Sequence, residues 1–61
     1  MDKEKLMKAR NEMFLSKEHL VTSCRALSES GEMFESTTNE IKKVIGDLVC
    51  AIAIIDDELK S

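Results

Sequence analysis

The chain has 61 residues and a mass of 6.9 kDa, with 9 basic and 12 acidic side chains and a formal charge of −3. A domain of this size hides only about 60% of the surface that its unfolded chain exposes, so a staple, a metal or a partner chain is expected. One histidine and two cysteines exclude a four-ligand zinc site and a dense disulfide framework. The absence of proline, tryptophan and tyrosine argues against a turn-rich β-sandwich or barrel. These counts predict a single all-α domain over residues 1–61.

The charge pattern limits the partners and the compartment that we expect. Residues 1–5 alternate in charge and no apolar stretch follows them, so we predict no secretory signal and a cytoplasmic location. The longest apolar run, residues 48–55, is far shorter than the roughly 20 residues of a membrane span. An acidic pI near 5.0 and the lack of a Lys/Arg block argue against nucleic-acid binding.

The first half of the chain carries a helical repeat. Apolar residues recur every seven positions, in a main column of Leu6, Met13, Leu20 and Leu27 and a neighbouring column of Met7, Phe14 and Val21. Small residues three positions beyond the main column predict a close approach of another helix there: Ala9, Ser16 and Ser23. Asp2 is expected to cap a helix over about residues 3–29, and Gly31 is the natural left-handed residue at its end. The turn is therefore placed at residues 30–31.

The second half repeats the seven-residue period. Its apolar face is formed by Phe34, Ile41, Leu48 and Ile55, with Val44, Ile45, Ala51, Ile52 and Leu59 in adjacent positions.

The sequence allows two alternative first residues for this second helix. A start near Glu32 keeps Phe34 in the column, whereas a start at Thr37 uses a capping-box pattern that ends at Glu40. We favour the longer helix, over about residues 32–59, and we expect Gly46 to mark a close helix contact.

Charges at matching levels support an antiparallel hairpin of these two helices. A turn at residues 30–31 predicts four pairs of opposite sign, namely Lys5 with Asp56, Lys3 with Glu58, Glu18 with Lys43, and Arg25 with Glu35. Exposed pairs of this kind contribute only about 0.2–1 kcal/mol each, so they indicate the register more than they stabilise it.

One hairpin does not bury all the apolar residues of the two helices. Each helix buries one stripe against the other, which leaves an apolar surplus that single-chain proteins avoid exposing. We expect this surplus to bind a protein partner and complete a four-helix bundle. The predicted partner-binding residues are Met7, Phe14, Val21, Val49 and Ile54.

Few residues suggest chemistry, and none forms a catalytic motif. His19 lacks an orienting carboxylate or a nucleophile, so we expect a solvated side chain. Cys24 and Cys50 are expected about 18–20 Å apart along the hairpin, too far for a disulfide. Both are expected to be small buried apolar residues, and a reactive thiol is the alternative. The acidic run 56–58 diverges around the helix, so no metal site is predicted. We expect no enzyme activity, no cofactor and no small-molecule substrate.

The methionines have two interpretations. Core filling is the favoured one, and an adaptable docking surface is the alternative, for Met7, Met13 and Met33.

The end of the second helix resembles YscE-type proteins, the small co-chaperones of type III secretion needle subunits. The residues that carry the resemblance are the Ala/Ile-rich stretch 48–55 and the closing Leu59-Lys60, in a chain of similar length with a glycine near its middle. The resemblance implies a helical hairpin that joins a helical-repeat chaperone and keeps the needle subunit from polymerising early.

Two functions follow from this sequence. The first is a non-catalytic adaptor or co-chaperone that presents apolar helix faces to a partner, for which the resemblance implies a role in type III secretion. The second is a self-associating homodimeric four-helix bundle with a structural or regulatory role. Both require a protein partner, which is another chain in the first case and a second copy in the other.

Overall fold

The computed structural model describes residues 2–61 and consists of two antiparallel helices. Helix α1 spans Lys3–Ser30 and helix α2 spans Glu35–Lys60, with a short 3₁₀ turn at Glu32–Phe34 between them. The hairpin is elongated, with Cα extents of 45 × 14 × 12 Å. Over these residues neither helix is long and apolar enough to cross a membrane. The prediction of an all-α helical hairpin is confirmed.

The start of α1 is the predicted cap. The Asp2 carboxylate accepts a hydrogen bond from the backbone N–H of Lys5 at 3.2 Å, which satisfies one of the free amides in the first turn. Glu4 places a second acidic group near the positive end of the helix dipole.

The turn between the helices depends on Gly31. Its backbone has φ +137° and ψ 170°, an extended conformation that only glycine adopts readily. The residue ends α1 as predicted, although its conformation differs from the left-handed helical cap that we expected.

Helix α2 begins between its two expected starts. Residues 32–34 form the 3₁₀ turn instead of α-helix, and the α-helix begins at Glu35, two residues before Thr37. The capping-box pattern at Thr37 is not used as a start. The neighbouring Thr38 hydroxyl instead donates to the Phe34 carbonyl at 2.8 Å, as threonine does inside a helix.

The two helices meet along a seam with alternating steps of three and four residues, the spacing of a coiled coil. In α1 the seam is formed by Leu6, Arg10, Met13, Lys17, Leu20, Cys24 and Leu27, and Val21 beside them is half-buried as well. The facing row consists of Phe34 in the 3₁₀ turn and, in α2, of Thr38, Ile41, Ile45, Leu48, Ile52, Ile55 and Leu59, with half-buried Ala51 and Asp56 beside it. Within residues 2–61 only Cys24, Thr38 and Ile52 are more than nine-tenths buried. The interior is therefore a single narrow row.

The second column of the α1 seam differs from the prediction. It consists of Arg10, Lys17 and Cys24, whereas the small residues expected at a close contact are exposed, namely Ala9, Ser16 and Ser23. Long basic side chains can lie along an apolar seam while their charged ends reach water, which explains how they replace apolar residues there.

Three further expectations are wrong. Gly46 is exposed, and no heavy atom lies within 4 Å of a Cβ added there, so it marks no helix contact in this chain. Cys50 is exposed instead of buried. Within residues 2–61 none of the four expected charge pairs forms, since the ion pairs are Arg10–Asp56, Lys17–Glu18 and Lys43–Glu40.

Candidate functional site

The register of the hairpin is fixed by contacts at both ends. Near the turn, the Cys24 thiol donates to the Thr38 carbonyl at 3.8 Å. Near the open end, the Arg10 guanidinium donates to the Asp56 carboxylate at 3.0 Å. At the termini, the Lys3 ammonium donates to the Ser61 carbonyl at 3.3 Å. Between the first two contacts, Phe14 lies at about the level of Ala51 at 1.5 Å rise per residue.

Four of the five predicted partner-binding residues lie on one side of the hairpin. Met7, Phe14 and Val21 each directly follow a seam residue of α1, and Val49 directly follows a seam residue of α2. In an antiparallel pair these positions flank the seam on the same side. We call this surface the Phe14 flank. Val21 is half-buried, and Met7, Phe14 and Val49 are exposed by 46%, 36% and 49%.

Ile54 does not join the Phe14 flank. It directly precedes a seam residue, Ile55, which turns it to the opposite side of α2, and it is 65% exposed. Val44, another exposed apolar residue, lies on that side of α2 as well. The predicted set is thus divided between two surfaces.

A cluster of charges surrounds the Phe14 ring. The Lys17 ammonium lies 4.5 Å from the ring centroid and the Arg10 guanidinium lies 5.2 Å from it. Arg10 also pairs with Asp56, and Lys17 lies 3.6 Å from the carboxylate of Glu18. Cation–π contacts at exposed sites are worth about 0.5–1 kcal/mol, so they orient the ring without burying it.

Arg10 and Lys17 are two seam residues that the apolar pattern of the sequence does not predict. Both follow a main-column residue, Leu6 or Met13, by four positions and are themselves seven apart, which is the spacing of the second seam column. Their charge concealed that spacing, because a column of basic residues is typical of a solvated face.

The histidine and the two cysteines, which are the candidates for catalysis or metal binding, lie apart from one another. His19 and Cys50 are exposed on different helices, Cys24 is buried in the seam, and both thiols are free. Within residues 2–61 no group of three or more His, Cys, Asp or Glu side chains could hold a metal ion.

The methionines do not form one surface. Met13 is half-buried in the seam, Met7 lies on the Phe14 flank, and Met33 is 82% exposed in the 3₁₀ turn.

A shallow groove continues the Phe14 flank toward the turn. It encloses about 270 Å³ and is lined mainly by polar residues of the turn and of both helices, including Ser28, Glu35, Thr38, Asn39 and Lys42. Small-molecule sites are mostly apolar and enclosed, so this open polar groove is better suited to the rim of a protein contact.

Comparisons with protein-family models, with curated proteins and with solved structures find no match to this chain. The function of the chain is therefore inferred from the exposed surface of the hairpin.

Proposed function

We propose that the chain is a small non-catalytic protein interaction module, whose Phe14 flank packs against another pair of helices. The observation that supports this most strongly is the exposed apolar surface beside a thin interior. Only three side chains in residues 2–61 are buried, while Met7, Phe14 and Val49 remain exposed together. A second helix pair on this flank would give the hairpin a core with two layers and complete a four-helix bundle.

The total surface supports the same proposal. The chain exposes 4663 Å², whereas a compact single-chain protein of this mass exposes about 4,000 Å². The excess is roughly 650 Å², close to the roughly 800 Å² that each partner buries in a standard protein interface. An elongated hairpin therefore exposes more surface than a compact chain of its mass, by an amount comparable to one side of a protein interface.

The test is the effect of Phe14→Glu on association. We expect the substitution to abolish association measured by sedimentation equilibrium while circular dichroism shows little loss of helix, because Phe14 lies outside the seam. Ile54→Glu is the matched control, since Ile54 is 65% exposed and lies on the opposite side of α2 from the flank. A wild-type chain that melts cooperatively as a monomer at all concentrations would contradict the proposal. So would a Phe14→Glu variant that has the same mass as an associated wild-type chain.

A more specific form of this proposal comes from the resemblance to YscE-type co-chaperones. In that form the second helix pair belongs to a helical-repeat chaperone, and the complex keeps a needle subunit monomeric. The purified chain, mixed with such a chaperone and a needle subunit, should suppress the light scattering of the polymerising subunit. Polymerisation at the same rate with and without the chain would dismiss the co-chaperone role while leaving the interaction module in place.

A further inference from the structure

The two halves of the Phe14 flank have different shapes. On α1 the flank is a ridge of large side chains, with Phe14 at its centre. On α2 it is shallow, because Val49 is bordered by Gly46, Cys50 and Ala53, all small and exposed. These four residues of α2 occupy positions i, i+3, i+4 and i+7, the corners of a hole that accepts one side chain from a facing helix. The hole on α2 is therefore complementary in shape to the ridge on α1.

The ridge and the hole lie at the same level of the hairpin. By the register set at Arg10–Asp56 and Cys24–Thr38, Phe14 is level with about residue 51, inside the stretch from Gly46 to Ala53. A two-fold axis parallel to the long axis of the hairpin preserves levels and places α1 of one copy over α2 of the other. That operation brings Phe14 of each copy to the hole of the other.

Charges beside the flank are complementary under the same operation. Glu18 of one copy comes within about one helical turn of Lys42 of the other, and Arg25 comes within about one helical turn of Glu35. All four side chains are exposed. Within residues 2–61, Arg25, Glu35 and Lys42 make no salt bridge inside the hairpin. The pairs would form twice in a symmetric complex, at the rim of the contact.

The other two-fold arrangement lacks this fit. An axis across the long axis places α1 against α1 and α2 against α2. The ridge that contains Phe14 then meets a second ridge, while the surface from Gly46 to Ala53 meets a second shallow surface.

From these features we propose that the partner of the Phe14 flank is a second copy of this chain, docked about a two-fold axis parallel to the hairpin. Phe14 of each copy packs into the hole formed by Gly46, Val49, Cys50 and Ala53 of the other. This inference rests on the proposed function, because it names the helix pair that the flank binds. The roughly 650 Å² of excess surface on each copy is of the size that a dimer contact requires.

The first experiment fills the hole. A larger side chain at position 46 meets nothing within a single hairpin, since no heavy atom lies within 4 Å of an added Cβ. Gly46→Leu is therefore expected to preserve the helix and to raise the dimer dissociation constant roughly 100-fold or more, because the obstruction occurs twice. Gly46→Ala is the matched control, and it should leave the dimer largely intact. Both constants are measured by sedimentation equilibrium.

The second experiment reports the direction of the axis. A nitroxide label is placed on Lys60→Cys in a chain that also carries Cys24→Ser and Cys50→Ser, after this background is shown to dimerise. An axis parallel to the hairpin places both labels at the same end, whereas an axis across it separates them by nearly the 45 Å length. We expect a distance below about 25 Å by double electron–electron resonance, given helix spacings of 8–10 Å.

The outcomes separate this inference from the proposed function. A dimer with both labels at one end, weakened by Gly46→Leu and spared by Gly46→Ala, supports the inference. A dimer with distant labels, or one indifferent to Gly46→Leu, overturns the inference but leaves the interaction module. A poorly folded monomer that becomes ordered only with a different chain likewise overturns the inference but leaves the interaction module. A monomer that is stable and cooperatively folded by itself overturns both.

Discussion

The substitution Ile52→Ala should destabilise the hairpin far more than the same change at an exposed position of α2. Ile52 is 92% buried, one of only two apolar side chains buried to that extent in residues 2–61. The change removes three carbon atoms from the seam, worth about 2.4 kcal/mol at 0.8 kcal/mol for each. The better helix propensity of alanine returns about 0.4 kcal/mol. The expected loss is therefore about 2 kcal/mol, against a total stability of roughly 3–9 kcal/mol for a chain of this length.

Ile54→Ala is the control for this prediction, because it removes the same atoms two positions along the same helix. Ile54 is 65% exposed, so the lost burial is about a third as large and the helix propensity of alanine offsets half of it. The midpoint of thermal unfolding, followed by circular dichroism at 222 nm, should fall by roughly 10 °C for Ile52→Ala and by a few degrees at most for Ile54→Ala. Equal shifts for the two variants would refute the seam described above, since only the burial of residue 52 separates them.

Three other predictions concern the ends and side chains of the hairpin. Asp2→Ala should lower the free energy of unfolding by about 1 kcal/mol, measured by urea denaturation, because the first turn of α1 loses its cap. In the native protein Cys50 should react with a thiol reagent far faster than Cys24, and the two rates should become similar in denaturant. A double-mutant cycle of Arg10→Ala and Asp56→Ala should give a coupling of about 0.5–1 kcal/mol that weakens in high salt, because both side chains remain partly exposed. A coupling near zero would show that the pair does not fix the register.

The fold was accessible from the sequence because its strongest signals are local and periodic. Columns such as Leu6 to Leu27 and Phe34 to Ile55 repeat every seven residues over nearly the whole chain, and that period belongs to packed helices. Gly31 is the one residue in the middle of the chain that readily adopts the φ of +137° found at the turn. These features together fix two helices and their antiparallel arrangement.

Two features of the hairpin, the seam position of Lys17 and the first residue of α2, could not be predicted because each depends on which of several alternative contacts forms. A seam position for Lys17 is favourable only if the ammonium group of its side chain can reach water past the neighbouring helix. Whether it can depends on how the two helices pack. The start of α2 depended on whether the Thr37 pattern acted as a cap. In the hairpin Thr38 bonds back to Phe34, which is already in the 3₁₀ turn, so no cap is needed at Thr37.

The burial of Cys50 was overestimated for a different reason. It lies within an unbroken run of eight apolar residues, 48–55, and a run of that length covers every side of a helix. All eight residues are apolar, so their hydropathy does not show which of them face the seam, whereas the period of the seam places Leu48, Ile52 and Ile55 inside and Cys50 outside. The same reasoning separates Val49 from Ile54, two apolar residues that lie on opposite sides of one helix.

The polar column of α1 links the weakness of the interior to the exposed flank. Arg10 and Lys17 occupy positions where apolar residues would have widened the seam, and their charged ends emerge beside Phe14. The hairpin therefore gains less stability from its own contact, and the ring that a partner would bury is partly covered by two cations. Because both cations have long, flexible stems, they can move aside when another helix covers the ring. The same two residues thus leave the single hairpin incomplete and limit the apolar surface that it exposes while alone.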